Sequence, residues 1–235
     1  AVVRSSRGLA SIADNGCYRP WGMMEYMPNC PEYETFKMAT CSLDIGAGIV
    51  EDESIVCWGN AAGNDIPEKI KGVFKDVASS TQHVAAIDKL GTLHCWGRGA
   101  PFASKQGSFV DVSCADGRTV ALDQDATLWY WGYEEMDDGN VKVPGLLITH
   151  ATSKNIWGLK QDGTIFCLGR NGKNKFSGSY VAMAATDLVL LALKENGVLV
   201  YFNLSRMDNQ SQVEPAEIKD FGSTENAFIL RFQTD

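Results

Sequence analysis

Apolar and polar residues alternate in short runs along this chain, and the runs return. "GTLHCWG" (91–97) and "GTIFCLG" (163–169) each read as a strand whose two faces are packed differently. Such strands follow turn-like tetrads: "ADNG" (13–16), "EDES" (51–54), "DKLG" (88–91), "DQDA" (123–126), "KQDG" (160–163) and "KENG" (194–197). A short apolar strand precedes each tetrad: "LASI", "AGIV", "VAAI", "TVAL", "IWGL" and "LLAL". An earlier strand leads each unit, as in "FKDVASS" (74–80), "SFVDVSC" (108–114) and "IKDFGST" (218–224). Glycine in the tetrads supplies the positive φ of a tight hairpin whose twist suits the flanking strands.

Trp-Gly steps set the register of the copies. Anchors stand at Trp21-Gly22, Trp58-Gly59, Trp96-Gly97 and Trp131-Gly132, with Leu168-Gly169 and Phe202-Asn203 as weakened versions. Successive spacings are 37, 38, 35, 37 and 34 residues, the mark of a repeat architecture. "IKDFGSTENAFILRF" adds a seventh leading half with no turn or Trp-Gly after it. One unit is a short antiparallel sheet that cannot bury both of its faces. Stacking units around an axis buries them and removes most exposed edges. The pattern therefore predicts an all-β fold, a seven-bladed β-propeller with antiparallel blades and an incomplete or irregular last blade. The chain is expected to form one domain, with copies over roughly 1–35, 36–72, 73–107, 108–145, 146–179, 180–216 and a partial 217–235. Trp58, Trp96 and Trp131 are expected between blades, beside small residues such as Ala85, Ala121 and Ala192.

The phrase "[DN]G-x-[LV]-x-x-W-G", with its upstream "A-[LI]" strand, resembles the regulator-of-chromosome-condensation repeat family. The resemblance covers essentially the whole chain, although only the first four copies keep Trp-Gly. It implies a seven-bladed ring. The short copies are similar to those of the bacterial propeller-type β-lactamase inhibitors. That likeness implies a target-gripping face rich in aromatics, and aromatics are scarce at the corresponding positions here.

Charge narrows the partners. The formal net charge is −8, with no basic stripe to neutralise phosphates, so no nucleic acid is expected; the acidic excess either steers in a basic protein surface or simply aids solubility. No apolar run reaches the roughly 18–20 residues of a membrane span. The chain begins at Ala1, which suggests processing or truncation and leaves the compartment open.

Catalytic chemistry finds little footing. His94 and Cys95 are neighbours on a strand and point to opposite faces, and no metal-ligand spacing occurs. Cys57, Cys95 and Cys167 share one offset in the repeat, as small buried side chains would. Cys30 and Cys41 would pair only in an oxidising compartment. No catalytic residue, cofactor or metal is expected, and the chain is read as a non-enzyme.

Function is therefore expected in the loops. "MMEYMPNCPEYE" carries Met23, Met24, Tyr26, Met27 and Tyr33, which suit an adaptable interface. "YEEMDDGN" carries Glu134, Glu135, Asp137 and Asp138 for a basic partner, with Tyr133 and Met136 as anchors. A third candidate surface is the repeated polar turn with Arg7, Asp44, Gln82, His83, Asp116, Arg118, Lys154, Asn155, Asp187, Glu225 and Asn226. The expected function is a non-catalytic protein–protein interaction propeller, a regulator or a peripheral subunit of a larger complex. The alternatives are nucleotide exchange on a Ran-like small GTPase, as the resemblance implies, and enzyme inhibition or carbohydrate binding.

Overall fold

The hairpin tetrads and alternating strands fold as blades around an axis. The computed structural model describes residues 4–5, 9–12, 18–21, 30–31, 34–42, 44–132, 138–169, 174–185, 189–204, 210–213, 218–223 and 228–232. Nearly all are strand or turn, and the one helical turn among them is Ala62–Asn64. Blade 1 contains the hairpin Leu9–Ile12 and Tyr18–Trp21. Blades 2 to 6 each hold four antiparallel strands, which begin at Phe36, Phe74, Phe109, Leu146 and Tyr180. Blade 7 holds Ile218–Ser223 and Phe228–Phe232. Arg4–Ser5 runs parallel to the inner strand of blade 2. It also packs near Ile218–Ser223, which brings the two ends of the ring together.

The core lies between blades rather than within them. Ile45, Ala47 and Ile49 of blade 2 cluster with Phe74, Val77, Val84 and Ala86 of blade 3. Ala85, Ile87 and Leu93 of blade 3 cluster with Phe109, Val112 and Ala121 of blade 4. Consecutive residues such as Ala85 and Ala86 thus serve opposite neighbours, as the pleat requires. Burial of these apolar faces is the main stabilising term, at about 25 cal/mol per Å².

Pairing corrects the expected register by one residue. The slot two places before each tight turn holds Gly48, Ala86, Ala121, Gly158 and Ala192, so Ala85 lies on the other face. Close approach explains why this slot is small. A Cβ on Gly48 would stand 2.4 Å from the Phe36 ring, and one on Gly158 would stand 2.0 Å from the Phe166 ring. The tight turn of blade 2 likewise closes from Glu53 N to Val50 O, one residue earlier than "EDES". Each turn has a single positive φ, at Glu53, Gly91, Ala126, Gly163 or Gly197. One such residue at the turn's end fits a type I turn followed by a G1 bulge, rather than the two expected of a primed turn.

Trp58 and Trp131 are buried as expected, but Trp96 is only half-buried. Trp131 is closed in by Phe102, at 4.9 Å between centroids, and by stacked Trp129 at 6.3 Å. Trp96 has the smaller His94 as its stacking neighbour. Phe202 takes over the indole's place between blades 5 and 6.

Candidate interaction surface

Each third strand runs out from its tight turn and ends at the opposite face. There the Trp-Gly glycine turns the chain away. Gly97 has φ 109°, and a Cβ on it would stand 2.4 Å from Gln82 O, so both conformation and space demand glycine. The connections that leave this face differ from blade to blade: 60–68 in blade 2, 98–103 in blade 3 and 132–138 in blade 4. They share the face with the turns that join each inner strand to its neighbour.

Of the loop residues singled out by sequence, the structure describes Asp138. It is exposed, and its Oδ1 accepts a hydrogen bond from Gly132 N at 2.8 Å. Met23, Met24, Tyr26, Met27, Tyr33, Tyr133, Glu134, Glu135, Met136 and Asp137 lie outside the described residues. Arg7, Asp187, Glu225 and Asn226 lie outside them too. Asp44, Gln82 and Lys154 are exposed on this face, with Asp116 and Arg118 half-buried. Asp65 joins them from the 60–68 connection and pairs with Arg98 at 3.3 Å.

His83 and Asn155 do not belong to an open surface, because both are fully buried. Each is the first residue of its second strand and pairs with the Trp-Gly-type glycine, Gly97 or Gly169. That register sends the His83 ring inward. Its Nδ1 meets Ser80 Oγ at 2.7 Å, and its Nε2 meets Thr119 Oγ1 of blade 4 at 2.8 Å. Burial lowers the His83 pKa to about 4, partly countered by the nearby Asp116 carboxylate. It is a neutral clasp between blades.

The other reactive groups are also structural. Cys57, Cys95 and Cys167 are buried free thiols whose pKa burial raises to about 12, far from a nucleophile's range. Cys30 and Cys41 are free thiols as well. His94 Nε2 stands 2.9 Å from Asp88 Oδ2, which ties a third strand to its own tight turn. In blade 4 the corresponding bond runs from Trp129 Nε1 to Asp123 Oδ2 at 2.9 Å. Among the described residues, no group of three His, Cys, Asp or Glu side chains could hold a metal ion. No described helix is long and apolar enough to cross a membrane.

Sequence reasoning missed the second residue of each inner strand, which sits in a β-bulge between Phe36 and Met38, Phe74 and Asp76, Phe109 and Asp111, and their later equivalents. Only an alignment of the leading strands alone would have shown that position changing from lysine to an apolar residue.

No family model matches the sequence, and no curated protein matches it either. Solved structures match over nearly the whole chain at low identity. The CRINKLY WD40 ectodomain of the Arabidopsis thaliana receptor kinase ACR4 has a TM-score of 0.80 at 13% identity, covering 99% of this chain and 91% of that one. Prp20p from Saccharomyces cerevisiae, described with its binding properties to Gsp1p and histones, has a TM-score of 0.75 at 11% identity, covering 95% and 80%. The Physcomitrella patens receptor kinase CR4 ectodomain has a TM-score of 0.75 at 14% identity, covering 95% and 67%. What these likenesses establish is the fold, a β-propeller.

Proposed function

We propose that the chain works as one non-catalytic interaction ring, a regulator or a peripheral subunit that holds a partner protein on the face of its unlike loops. The observation that carries this reading is a contrast within the repeat. Positions that clasp blades recur as small residues, buried thiols and tight turns, whereas the connections leaving the Trp-Gly ends share neither length nor composition. A scaffold held constant beneath variable loops suits recognition, since binding residues concentrate on loops positioned by a rigid frame.

The partner we favour presents a basic surface. Asp44, Asp65 and Asp138 lie exposed on this face, and the 133–137 stretch adds Glu134, Glu135 and Asp137 to the same connection as Asp138. Tyr26 and Met27 of the Met-Tyr loop, and Tyr133 and Met136 of the acidic one, are the proposed apolar anchors.

The test isolates a partner by co-purification from native extract and then measures its association kinetics. Changing Glu134 and Glu135 to Gln, and Asp44, Asp137 and Asp138 to Asn, is expected to lower the association rate and its salt dependence at unchanged melting temperature. Tyr26→Ser with Met27→Ser is expected to speed dissociation. Unchanged kinetics in both variants would move the binding face elsewhere.

A further inference from the structure

Blade 4 contains a slot, between the first residue of its inner strand and the end of its third strand, that Trp129 fills. The indole stacks on Trp131 at 6.3 Å between centroids and 13° between planes, and meets Phe109 edge-on at 6.3 Å. Its Nε1 donates to Asp123 Oδ2 at 2.9 Å, and Lys105 Nζ stands 4.5 Å from its centroid. Blade 3 repeats the arrangement with His94, which stacks on Trp96, meets Phe74 edge-on and bonds Asp88. Blade 5 has Phe166 in the slot. Blade 2 has Val56, and there the Phe36 ring closes in over Gly48 instead.

Blade 6 leaves its slot open. Pairing assigns the position to Val200, opposite Ala192 as Trp129 is opposite Ala121. Val200 has no ring, and Ala192 carries the Cβ with which a closure like that of Phe36 would clash. The four groups around the Trp129 indole nevertheless have counterparts. By register, Tyr180 replaces Phe109, Phe202 replaces Trp131, Phe176 replaces Lys105 and Lys194 replaces Asp123. All four line one cleft of about 640 Å³ at the tight-turn end of the contact between blades 5 and 6. Tyr180 and Phe202 stand 6.2 Å apart at 77°, much as Phe74 and Trp96 stand 5.9 Å apart at 80° around His94. Two corners of the aromatic triangle are in place, and the third is vacant.

We infer that this cleft binds a small aromatic carboxylate, its ring stacked on Phe202 in the place of the missing indole and its carboxylate on Lys194. The repeat itself selects the ligand. In blades 3 and 4 the ring in the slot turns a nitrogen to the carboxylate of the first turn residue. Blade 5 opens its turn on Lys160, and its ring, Phe166, has no N–H to offer. Blade 6 opens its turn on Lys194, so a ring entering there must bring an acceptor, and a charged one binds an ammonium best. Lys194 is half-buried and makes no ion pair with the described residues. The other charges of the lining, Lys175 and Glu195, are exposed to water and opposite in sign, which leaves Lys194 to set the preference. Tyr180 adds a hydroxyl that Phe74 and Phe109 lack. The volume suits one or two fused rings. This site lies opposite the variable loops and stands independently of the partner proposed for them.

Ligand-observed NMR titrations of the intact chain with naphthoate test the inference. Naphthoate should bind about fivefold or more tightly than neutral naphthamide or the non-aromatic cyclohexane carboxylate. Val200→Trp, which restores the ring of blade 4, should weaken naphthoate about tenfold or more while the melting temperature holds or rises. Lys194→Asp restores the turn residue of blades 3 and 4 without touching the core. It should reverse the preference, so that the cationic indole tryptamine binds more tightly than naphthoate, and it decides the matter if the tryptophan variant does not fold. No binding of naphthoate at millimolar concentration, equal affinity for naphthamide, or a preference unmoved by Lys194→Asp would overturn the inference. So would undiminished binding to a folded Val200→Trp chain. Partner capture by the loop face is measured separately and is expected to be unchanged in both variants.

Discussion

The contact between blades 3 and 4 and the contact between blades 5 and 6 use the same repeat to different ends. Between blades 3 and 4 the clasp is directional. Asp76 Oδ2 accepts from Val112 N at 3.1 Å, Thr81 Oγ1 donates to Asp116 Oδ1 at 2.7 Å, and His83 meets Thr119. Lys105 Nζ adds a cation–π contact, 4.5 Å from the Trp129 ring centroid. Between blades 5 and 6, Ile148 stands where Asp76 would be, and the rings of Trp157, Phe176, Phe202 and Tyr180 pack within about 6 Å of one another in sequence. Among the polar links there, His150 Nε2 meets Ala185 O at 3.0 Å.

The difference shows what each chemistry provides. Buried apolar area supplies more free energy than a hydrogen bond, whose net worth is about 1 kcal/mol, but hydrogen bonds fix how one blade sits on the next. Beside this aromatic run, blades 5 and 6 form a cleft of about 640 Å³ lined by Lys175, Phe176, Tyr180, Lys194, Glu195 and Phe202.

The largest test of the contrast strikes the apolar contact. Trp157 is 1% exposed, so Trp157→Ala should cost about 3–5 kcal/mol in urea unfolding. Half-buried Trp96, which packs between blades 2 and 3, should lose clearly less on the same change and serves as the reference. Equal losses would mean that packing at the two sites does not differ as drawn.

The next test belongs to the polar contact alone. An unfolded histidine titrates near about 6.5 and folded His83 at about 4, so between those values the unfolded chain binds more protons. Stability from His83 is therefore complete above roughly pH 6.5 and is lost as pH falls toward 4, by an amount on the order of 3 kcal/mol. His83→Gln should flatten that part of the stability profile. A slope that survives the substitution would assign the titration to another group.

The smallest expected effect sharpens the same contact. Lys105→Ala should lower stability by about 0.5–1 kcal/mol through the lost cation–π contact, measured against Lys142→Ala on the outer strand of blade 4. A Lys105 effect no larger than the control would reduce the ring contact to coincidence.

Much of this molecule is legible in one dimension. Alternation, hairpin tetrads and a spacing of 34 to 38 residues determine antiparallel blades and their number, because each blade is local in sequence and every unit must bury its faces against the next. The buried thiols follow from a shared offset. Tertiary structure alone decided the rest. His83 read as part of the repeated polar turn, yet it is the first residue of its strand, and its pairing with Gly97 turns its ring into the blade interface. In the sequence nothing sets Val110, Leu147 and Val181 apart from their neighbours. Only a bulge repeated in each inner strand lifts them out of the ladder and lines them up across blades about 35 residues apart in sequence, a juxtaposition that depends on closing the ring.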